Sequence, residues 1–418
     1  MTKIGLITIG NEILLGKTIN TNLGFIGEQL SLIGLPLSQS ATIRDNEQDI
    51  WHTLNKMWSE SDVVITTGGL GPTIDDLTKK TIARFFHKDL VFREEIWQKI
   101  QNLFTLRNLT IPKINRTQAF VPQDFITIDN DYGTAPGLHY NIENKDFFAL
   151  PGVPSEMKPM IVNYIIPFLK THYPIRPFYQ KTIRTFRISE SALAEKLSDI
   201  EIEDNVEIAF LPQLGKVDIR IYGFSQQNFH KAITSITNKI SDYIYGYNDD
   251  TILRLVHNKL FSSKLTLSIA ESCTGGLIQS QITSNPGSSN YFIGGIVSYS
   301  NEVKKNLLNV KEDTLEKYGA VSEETAFEMV KNVRQLFNSD LAIAVTGIAG
   351  PSGGTKEKPV GLVYIGINIK GEILVKGFHF SGTRIQIQNK TAENALYLLL
   401  KKQQFNSTQE NTDFTEKH

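Results

Sequence analysis

One cysteine, Cys273, occurs among the 418 residues, within the segment IAESCTGG at residues 269–276. A cysteine flanked by a glutamate, a serine and a Gly-Gly pair has the composition of a nucleophile site. However, no histidine stands beside it, and the carboxylate of Glu271 would raise the pKa of the thiol, whereas a nucleophilic thiol needs a lowered pKa. We therefore interpret Cys273 as a small packing residue after a buried strand, with nucleophilic attack as the alternative.

A first glycine-rich turn lies in ITTGGLGPTIDDLT, residues 65–78. Three glycines there, Gly68, Gly69 and Gly71, allow backbone amides to approach a phosphate, and the following helix presents its positive dipole end. Asp75 and Asp76 fit a bare phosphate poorly, so they indicate a divalent cation that bridges carboxylate and phosphate, or donors of a sugar or heterocycle. The structural alternative is a tight turn in which one of these aspartates caps the helix.

A second glycine-rich turn lies in AVTGIAGPSGGTKEKPVG, residues 344–361. A loop of this length and composition between two buried strands is typical of a functional loop, and a mobile surface loop with solvated lysines is the alternative. The eight histidines are scattered, with no pair four residues apart. This spacing argues against a zinc site built from histidine and cysteine.

Strand-like and helical segments alternate along most of the chain, which predicts parallel, doubly wound α/β sheets. KIGLITIG and DVVITTGG are typical of buried strands, and SEETAFEMVKNVRQLF is the clearest helix, with Ser322 as its N-cap. Between residues of about 175 and 245 the order of the predicted elements changes to βαββα. We therefore predict an α/β domain at 1–170, a small α+β domain at 171–248, a second α/β domain at 249–404 and a disordered tail at 405–418.

The overall composition is that of a soluble globular protein. Lysine plus arginine number 43 against 44 for aspartate plus glutamate, a balance without the basic excess expected of a nucleic-acid or membrane binder. A single cysteine excludes an intramolecular disulfide framework. No apolar run reaches 18 residues, and the N-terminus is a poor signal peptide. We expect a cytoplasmic protein without direct contact to nucleic acid or membrane.

Taken together, the motifs resemble the CinA-like family over nearly the whole chain. In the first domain GNEILLG, TIRDN, TTGGLGPTIDDLT and LPGVPSEM are similar to the molybdopterin-binding fold of the MoaB and MogA type. In the last domain AESCTGG, VSYSNEVK, VTGIAGPSGGT and FSGTR follow the pattern of nicotinamide mononucleotide deamidases. The resemblance implies two α/β/α sandwich domains joined by a small KH-like α+β domain, although the middle segment has no Gly-x-x-Gly loop.

The resemblance implies a bifunctional nucleotide hydrolase that forms a homodimer. Its C-terminal domain would convert nicotinamide mononucleotide into nicotinate mononucleotide and ammonia without a cofactor. Its N-terminal domain would be a pyrophosphatase for ADP-ribose-like nucleotides that uses a divalent metal ion. The alternative is a molybdopterin- or nucleotide-binding scaffold associated with competence and without catalysis.

Amide hydrolysis needs a nucleophile, a base and donors for the oxyanion. His379 is the one histidine near these motifs, so a Ser-His-Asp triad is not expected, and Lys304 is the expected base, as in Ser-Lys variants of the triad. Ser289 is the first choice of nucleophile, with Ser272 as its rival or helper, and Tyr299 would relay a proton or orient the lysine. The residues expected to bind the substrate are Thr346, Gly347, Gly350 and, as a phosphate clamp, Arg384. Each of these side chains also has a plain structural interpretation, as a cap, a packing residue or a solvated surface group.

For the N-terminal site we predict Asp45, Asp75 and Asp76 as carboxylates that bind the metal or the ligand. Gly68, Gly69 and Gly71 would face the phosphate. Glu12 and Asn22, which follow the first strand, would line the same cleft, although Glu12 could simply cap a turn.

Overall fold

The computed structural model describes residues 2–73, 77–213 and 215–405, with the backbone alone for 403–405. The chain divides into two compact units. The first takes residues 1–180, 200–208 and 221–235, and the second takes 181–199, 209–220 and 236–418. Among the described helices, none is long and apolar enough to cross a membrane.

The first part of the chain is a six-stranded mixed sheet with helices on both faces. The strands have the order β2-β1-β3-β8-β7-β6. β1, β2, β3 and β8 are mutually parallel, and β7 runs antiparallel to both of its neighbours, β8 and β6. The strands are β1 (Ile4–Ile9), β2 (Gln39–Ile43), β3 (Val63–Thr67), β4 (Leu90–Phe92), β5 (Phe120–Pro122), β6 (Ile126–Ile128), β7 (Gly137–Ile142) and β8 (Lys145–Leu150), of which β4 and β5 pair separately. The helices are α1 (Asn11–Leu14), α2 (Thr21–Leu32), α3 (Glu47–Glu60), α4 (Thr78–Phe85), α5 (Glu94–Leu106), α6 (Pro154–Met160) and α7 (Ile166–His172).

Two apolar clusters hold this sheet, one on each face. On one face Ile7, Val64 and Phe147 pack against α3, α4 and α5, and on the other Leu6, Ile65 and Phe148 pack against α2 and α6. Strands buried on both faces are apolar throughout, as β1 is, because successive side chains point to opposite faces of the sheet.

The middle of the chain forms a small four-stranded sheet with the order β10-β11-β9-β12. Its elements are β9 (Tyr179–Thr185), α8 (Glu190–Leu197), β10 (Val206–Gln213), β11 (Lys216–Gly223), α9 (Gln226–Ile240) and β12 (Ile244–Tyr247). The βαββα order predicted from the sequence is present. The fourth strand of this sheet, β12, was not predicted.

The last part of the chain is a five-stranded sheet with the order β14-β13-β15-β16-β17, in which β14, β13 and β15 are parallel. Helices α10, α11 and α15 cover one face, and α12 to α14 lie on the other. The elements are α10 (Ile252–Ser263), β13 (Leu267–Glu271), α11 (Leu277–Thr283), β14 (Phe292–Val297), α12 (Asn301–Leu308), α13 (Glu312–Tyr318), α14 (Glu323–Phe337), β15 (Leu341–Gly347), β16 (Leu362–Ile369), β17 (Glu372–His379) and α15 (Arg384–Phe405).

The predicted fold class, two layered α/β domains and a small α+β domain, is confirmed. Ser322 caps α14 as expected, since its side chain accepts a hydrogen bond from the backbone N–H of Thr325. Helix α15 was not predicted, although it is the longest described helix, because its polar first half lacks a clear apolar stripe.

Candidate active site

Ser272 stands at the carboxyl end of β13, where the buried side chain of Glu271 fixes the turn that follows. The Glu271 carboxylate accepts hydrogen bonds from the backbone N–H groups of Gly276, Ile278 and Gln279, at 2.8–3.1 Å. A carboxylate at the start of α11 satisfies N–H groups that have no partner within the helix. The strand, the turn and the helix are thereby joined around Ser272. This role of Glu271 was not predicted. The signal in the sequence that could have indicated it is the position of Glu271 shortly before the Thr-Gly-Gly turn that begins α11.

Lys304 reaches the same turn from the fourth position after the N-cap of α12, Ser300. Its side chain is 1% exposed, and its Nζ lies 3.0 Å from Ser272 Oγ and 2.6 Å from the carbonyl oxygen of Ser298. Ser298 is itself held by hydrogen bonds from its backbone N–H and its hydroxyl to the carbonyl of Glu271. The amine and the hydroxyl are therefore fixed at hydrogen-bonding distance by neighbouring strands of one sheet.

Burial changes the basicity of this amine. Removal from water disfavours the charged form, so the pKa of Lys304 is lowered to about 8. At that pKa roughly a tenth of the amine is neutral at pH 7, and a neutral amine has the lone pair that a general base needs.

Arg384, the first residue of α15, reaches the same site from the other side. Its guanidinium donates hydrogen bonds to the carbonyl of Gly350, at 2.7 Å, and to the hydroxyl of Tyr299, at 2.9 Å. Tyr299 and Arg384 are both exposed. A fixed, accessible guanidinium is suited to bind a phosphate or a carboxylate.

These groups border one open cavity of about 230 Å³. Its wall includes Ser272, Lys304, Tyr299 and Arg384. It also includes Thr346 and Gly347 at the end of β15 and Gly350 in the glycine-rich turn that follows. The buried hydroxyl of Thr346 donates to the carbonyl of Ala320, at 2.6 Å, so this side chain holds the opposite wall in place.

The expected pair of Ser289 and Lys304 is not formed within the chain, and the rival serine, Ser272, lies beside Lys304 instead. Ser289 lies in a short 3-10 turn (Ser288–Asn290) before β14, whereas Lys304 lies beyond the carboxyl end of that strand. The parallel register places Phe292 beside Leu267 and Val297 beside Glu271, so about 16 Å of strand separate the two ends. Ser289 is exposed and stands apart from the cavity wall; Ser272 occupies the expected place.

Cys273 is buried beside Ser272. Burial, reinforced by the charge of Glu271, raises the pKa of its thiol to about 12. Its carbonyl accepts a hydrogen bond from the side chain of Gln388, a contact that the sequence did not predict. A thiol with this pKa stays protonated near neutral pH, as expected for a packing residue.

At the N-terminal site, the carboxyl ends of β1, β2, β3 and β8 lie side by side. Gly68 and Gly69 follow β3 with φ of 113° and 65°, and a Cβ on Gly69 would lie 2.9 Å from Asp45 Oδ2. The Glu12 carboxylate lies over Gly10, after β1. The structure thus brings Glu12, Asp45 and the glycine turn, with Gly71 two residues further along, to one edge of the sheet.

Asn22 joins two strand ends at this edge. Its Nδ2 donates to Thr67 Oγ1, at 3.0 Å, and to the carbonyl of Gly152, at 2.8 Å. Its Oδ1 is buried and accepts no hydrogen bond from the described residues, and within the same residues the hydroxyl of Thr78 at the start of α4 also lacks a partner. Buried polar atoms without a partner are rare in folded proteins and indicate a missing ligand or water.

Two of the three predicted metal carboxylates, Asp75 and Asp76, lie outside the described residues. Within the described ranges, no group of three His, Cys, Asp or Glu side chains could hold a metal ion. The carboxylate of Asp45 has the oxygen-donor chemistry that hard divalent cations prefer. The metal ion stays a prediction.

Three family models match the chain: "Probable molybdopterin binding domain" at residues 5–171, "Damage-inducible protein CinA KH domain" at 180–246 and "CinA C-terminal domain" at 249–403. A CinA-like protein of Dictyoglomus thermophilum is 40% identical and the match covers 94% of this chain and 97% of that protein. The chain belongs to the CinA-like family.

A second member of the family, the CinA-like protein of Kosmotoga olearia, is also 40% identical, with the same coverage of both chains. Among solved structures, the competence/damage inducible protein CihA of Agrobacterium tumefaciens is 38% identical over 36% of this chain and 92% of that one, with a TM-score of 0.35. The names of the two CinA-like relatives state the family and no reaction.

Proposed function

We propose that the C-terminal site hydrolyses the carboxamide of nicotinamide mononucleotide to nicotinate mononucleotide and ammonia. The observation that carries this proposal is the buried amine of Lys304 at 3.0 Å from Ser272 Oγ, beside an accessible arginine. An amine of lowered pKa beside a serine hydroxyl is the arrangement used by Ser-Lys amide hydrolases. The choice of nicotinamide mononucleotide as the substrate rests on the resemblance of the surrounding motifs to those of the deamidases.

In this mechanism Ser272 Oγ attacks the carboxamide carbon while neutral Lys304 accepts the hydroxyl proton. The amine keeps N–H groups for the carbonyl of Ser298, so it remains in place as its charge changes. The C–N bond then breaks, and the proton held by Lys304 passes to the nitrogen, which leaves as ammonia. Water next attacks the serine ester and gives a proton to Lys304. The bond between the substrate carbon and Ser272 Oγ then breaks, the proton passes from Lys304 to Ser272 Oγ, and the acid product leaves and ionises to the carboxylate.

The remaining groups of the cavity bind the substrate. The guanidinium of Arg384, oriented by Tyr299 and the carbonyl of Gly350, would hold the phosphate of the mononucleotide. The backbone N–H groups of the Gly347–Gly350 turn would stabilise the oxyanion.

The proposal is tested by ammonia release from nicotinamide mononucleotide with three variants of the purified full chain. Lys304→Ala removes the base and should abolish release. Lys305→Ala is the matched control, because Lys305 is the next residue, pairs with Glu312 and does not line the cavity. Cys273→Ala should retain activity. Full activity of Lys304→Ala would refute the role of Lys304 as the base, and no release by the wild type would refute the deamidase.

We further propose that the N-terminal cleft binds and hydrolyses ADP-ribose-like nucleotides. The specific support is the buried Asn22 Oδ1 that accepts no hydrogen bond beside the strongly bent Gly68-Gly69 turn. An N–H or O–H group of the ligand would satisfy that oxygen. When bound, a divalent cation held by Asp45 would neutralise phosphate charge. Nucleotide binding without hydrolysis, with or without added Mg²⁺, would favour the alternative of a binding scaffold.

A further inference from the structure

A second cavity, of about 300 Å³, opens in the same compact unit as the Ser272 site and shares no lining residue with it. Segments distant in sequence meet there: the end of β9, the end of β17 and the middle of α15. The lining residues used in the argument are Phe186, Arg187, Phe378, Phe380, Lys390 and Glu393. None of them belongs to the proposed catalytic machinery.

The charges of this cavity do not cancel. Glu393 is paired with Lys216, whose Nζ lies 2.7 Å from its carboxylate. Lys390 donates one hydrogen bond to the carbonyl of Ser381, at 2.7 Å, which leaves two of its N–H groups. Arg187 has no carboxylate partner among the residues that the structure describes. Among the described residues these two cations thus have no carboxylate partner, and the cavity is suited to an anion.

Arg187 is also held in an unusual conformation. Its φ of 63° lies in the left-handed region, which residues other than glycine rarely adopt, and its guanidinium lies over the ring of Phe378, 5.0 Å from the ring centre. The rings of Phe378 and Phe380 are nearly parallel, at 11° and 5.4 Å between centres. The cavity therefore offers flat apolar rings next to two cationic groups.

We propose that this cavity binds a phosphorylated small molecule of nucleoside monophosphate size, independently of the catalytic site. Arg187 and Lys390 would hold the phosphate through charge-assisted hydrogen bonds, and the aromatic rings would contact a flat base. The volume lies at the lower end of the range typical of small-molecule sites, which favours a mononucleotide over a dinucleotide.

The proposal is tested by arginine footprinting of the full chain with phenylglyoxal, with and without adenosine 5′-monophosphate, and with the modified residues located by mass spectrometry. This readout separates the candidate site from other nucleotide sites on the chain. The mononucleotide should protect Arg187, while Arg220, an exposed arginine on β11, continues to react. Protection of Arg384 reports the catalytic cavity in the same experiment, so the two proposals can fail separately.

A variant then tests the second cation. Lys390→Gln removes one charge-assisted contact and should raise the mononucleotide concentration for half-protection of Arg187 about tenfold. Lys331→Gln, an equal charge loss at an exposed position of α14, should leave that concentration unchanged. Equal reaction of Arg187 with and without saturating mononucleotide, or protection of Arg384 alone, would overturn the proposal.

Discussion

At the scale of single residues, Lys304 and Lys305 differ in every property that sets the basicity of an amine. Lys304 is 1% exposed and its pKa is lowered to about 8 by burial. Lys305 is partly exposed and bound to Glu312, and this hydrogen bond raises its pKa above the ordinary value. Adjacent positions of one helix point in different directions, so one amine faces the sheet and the other faces solvent.

The lowered pKa of Lys304 predicts the pH dependence of ammonia release. Because the base must be neutral, kcat/KM should rise as the pH increases through about 8 and level off above it. Initial rates between pH 6 and pH 10, with stability checked at each pH, measure the profile. A profile that falls through this range would contradict the assignment of Lys304 as the base.

The sequence predicted that Lys304 would lie beside a serine, but it did not determine which serine. With few histidines near the motifs, Lys304 was the remaining candidate. Ser272 and Ser289 both lie within three residues of a glycine, and they differ in the end of the sheet at which each lies. That difference depends on the register of β13 and β14, which residue types alone do not specify.

At the scale of elements, the end of β13 and the start of α11 are joined through Glu271. Its carboxylate, 0% exposed, accepts three backbone N–H groups. Without it the buried N–H of Ile278 would lose its partner at a cost of about 1–3 kcal/mol, and the partly buried N–H groups of Gly276 and Gln279 would lose theirs at a smaller cost. The position of Ser272 therefore depends on its neighbour in the chain.

Replacement of Glu271 by glutamine should loosen this junction. Glutamine keeps the shape but offers one acceptor oxygen and an NH₂ group that faces backbone donors. We expect amide exchange at Gly276, Ile278 and Gln279 to accelerate about tenfold or more, with slower ammonia release. Hydrogen exchange with mass spectrometry measures the effect, and Glu302→Gln, in an exposed position, is the control. Unchanged exchange in Glu271→Gln would show that the carboxylate does not hold the turn.

The sequence predicted most elements of the sheets and missed those that tertiary contacts stabilise. β1, β3 and β15 are continuous, mostly apolar runs, and the sequence predicted all three as strands. β12, of four residues, pairs with β9 far away in the chain, and α15 begins in the FSGTR motif, where Thr383 and Gln386 cap the helix. Long-range pairing of short strands gives no local pattern.

At the scale of the whole molecule, the two candidate sites lie in different compact units. Each site is built at the carboxyl ends of strands of its own sheet, the usual ligand position in open α/β sheets. The two proposed activities should therefore respond separately to local changes.

A pair of glycine variants tests this independence. Gly69→Ala would place a Cβ 1.9 Å from the buried Thr78 Oγ1, whereas Gly16→Ala, also at positive φ, meets no atom within 4 Å. Both carry the cost of alanine in the left-handed region, so their difference isolates crowding at the turn. Gly69→Ala should lose ADP-ribose hydrolysis and keep ammonia release, and Gly16→Ala should keep both. Loss of both activities in Gly69→Ala alone would contradict independent sites.

The most direct test of the account is ammonia release from nicotinamide mononucleotide by Ser272→Ala and Ser289→Ala, measured beside the wild type. We predict a loss of about a thousandfold or more for Ser272→Ala, because the nucleophile is removed. Ser289, exposed and far from Lys304, should tolerate alanine with less than about a twofold change. An active Ser272→Ala together with an inactive Ser289→Ala would contradict the site described for this protein.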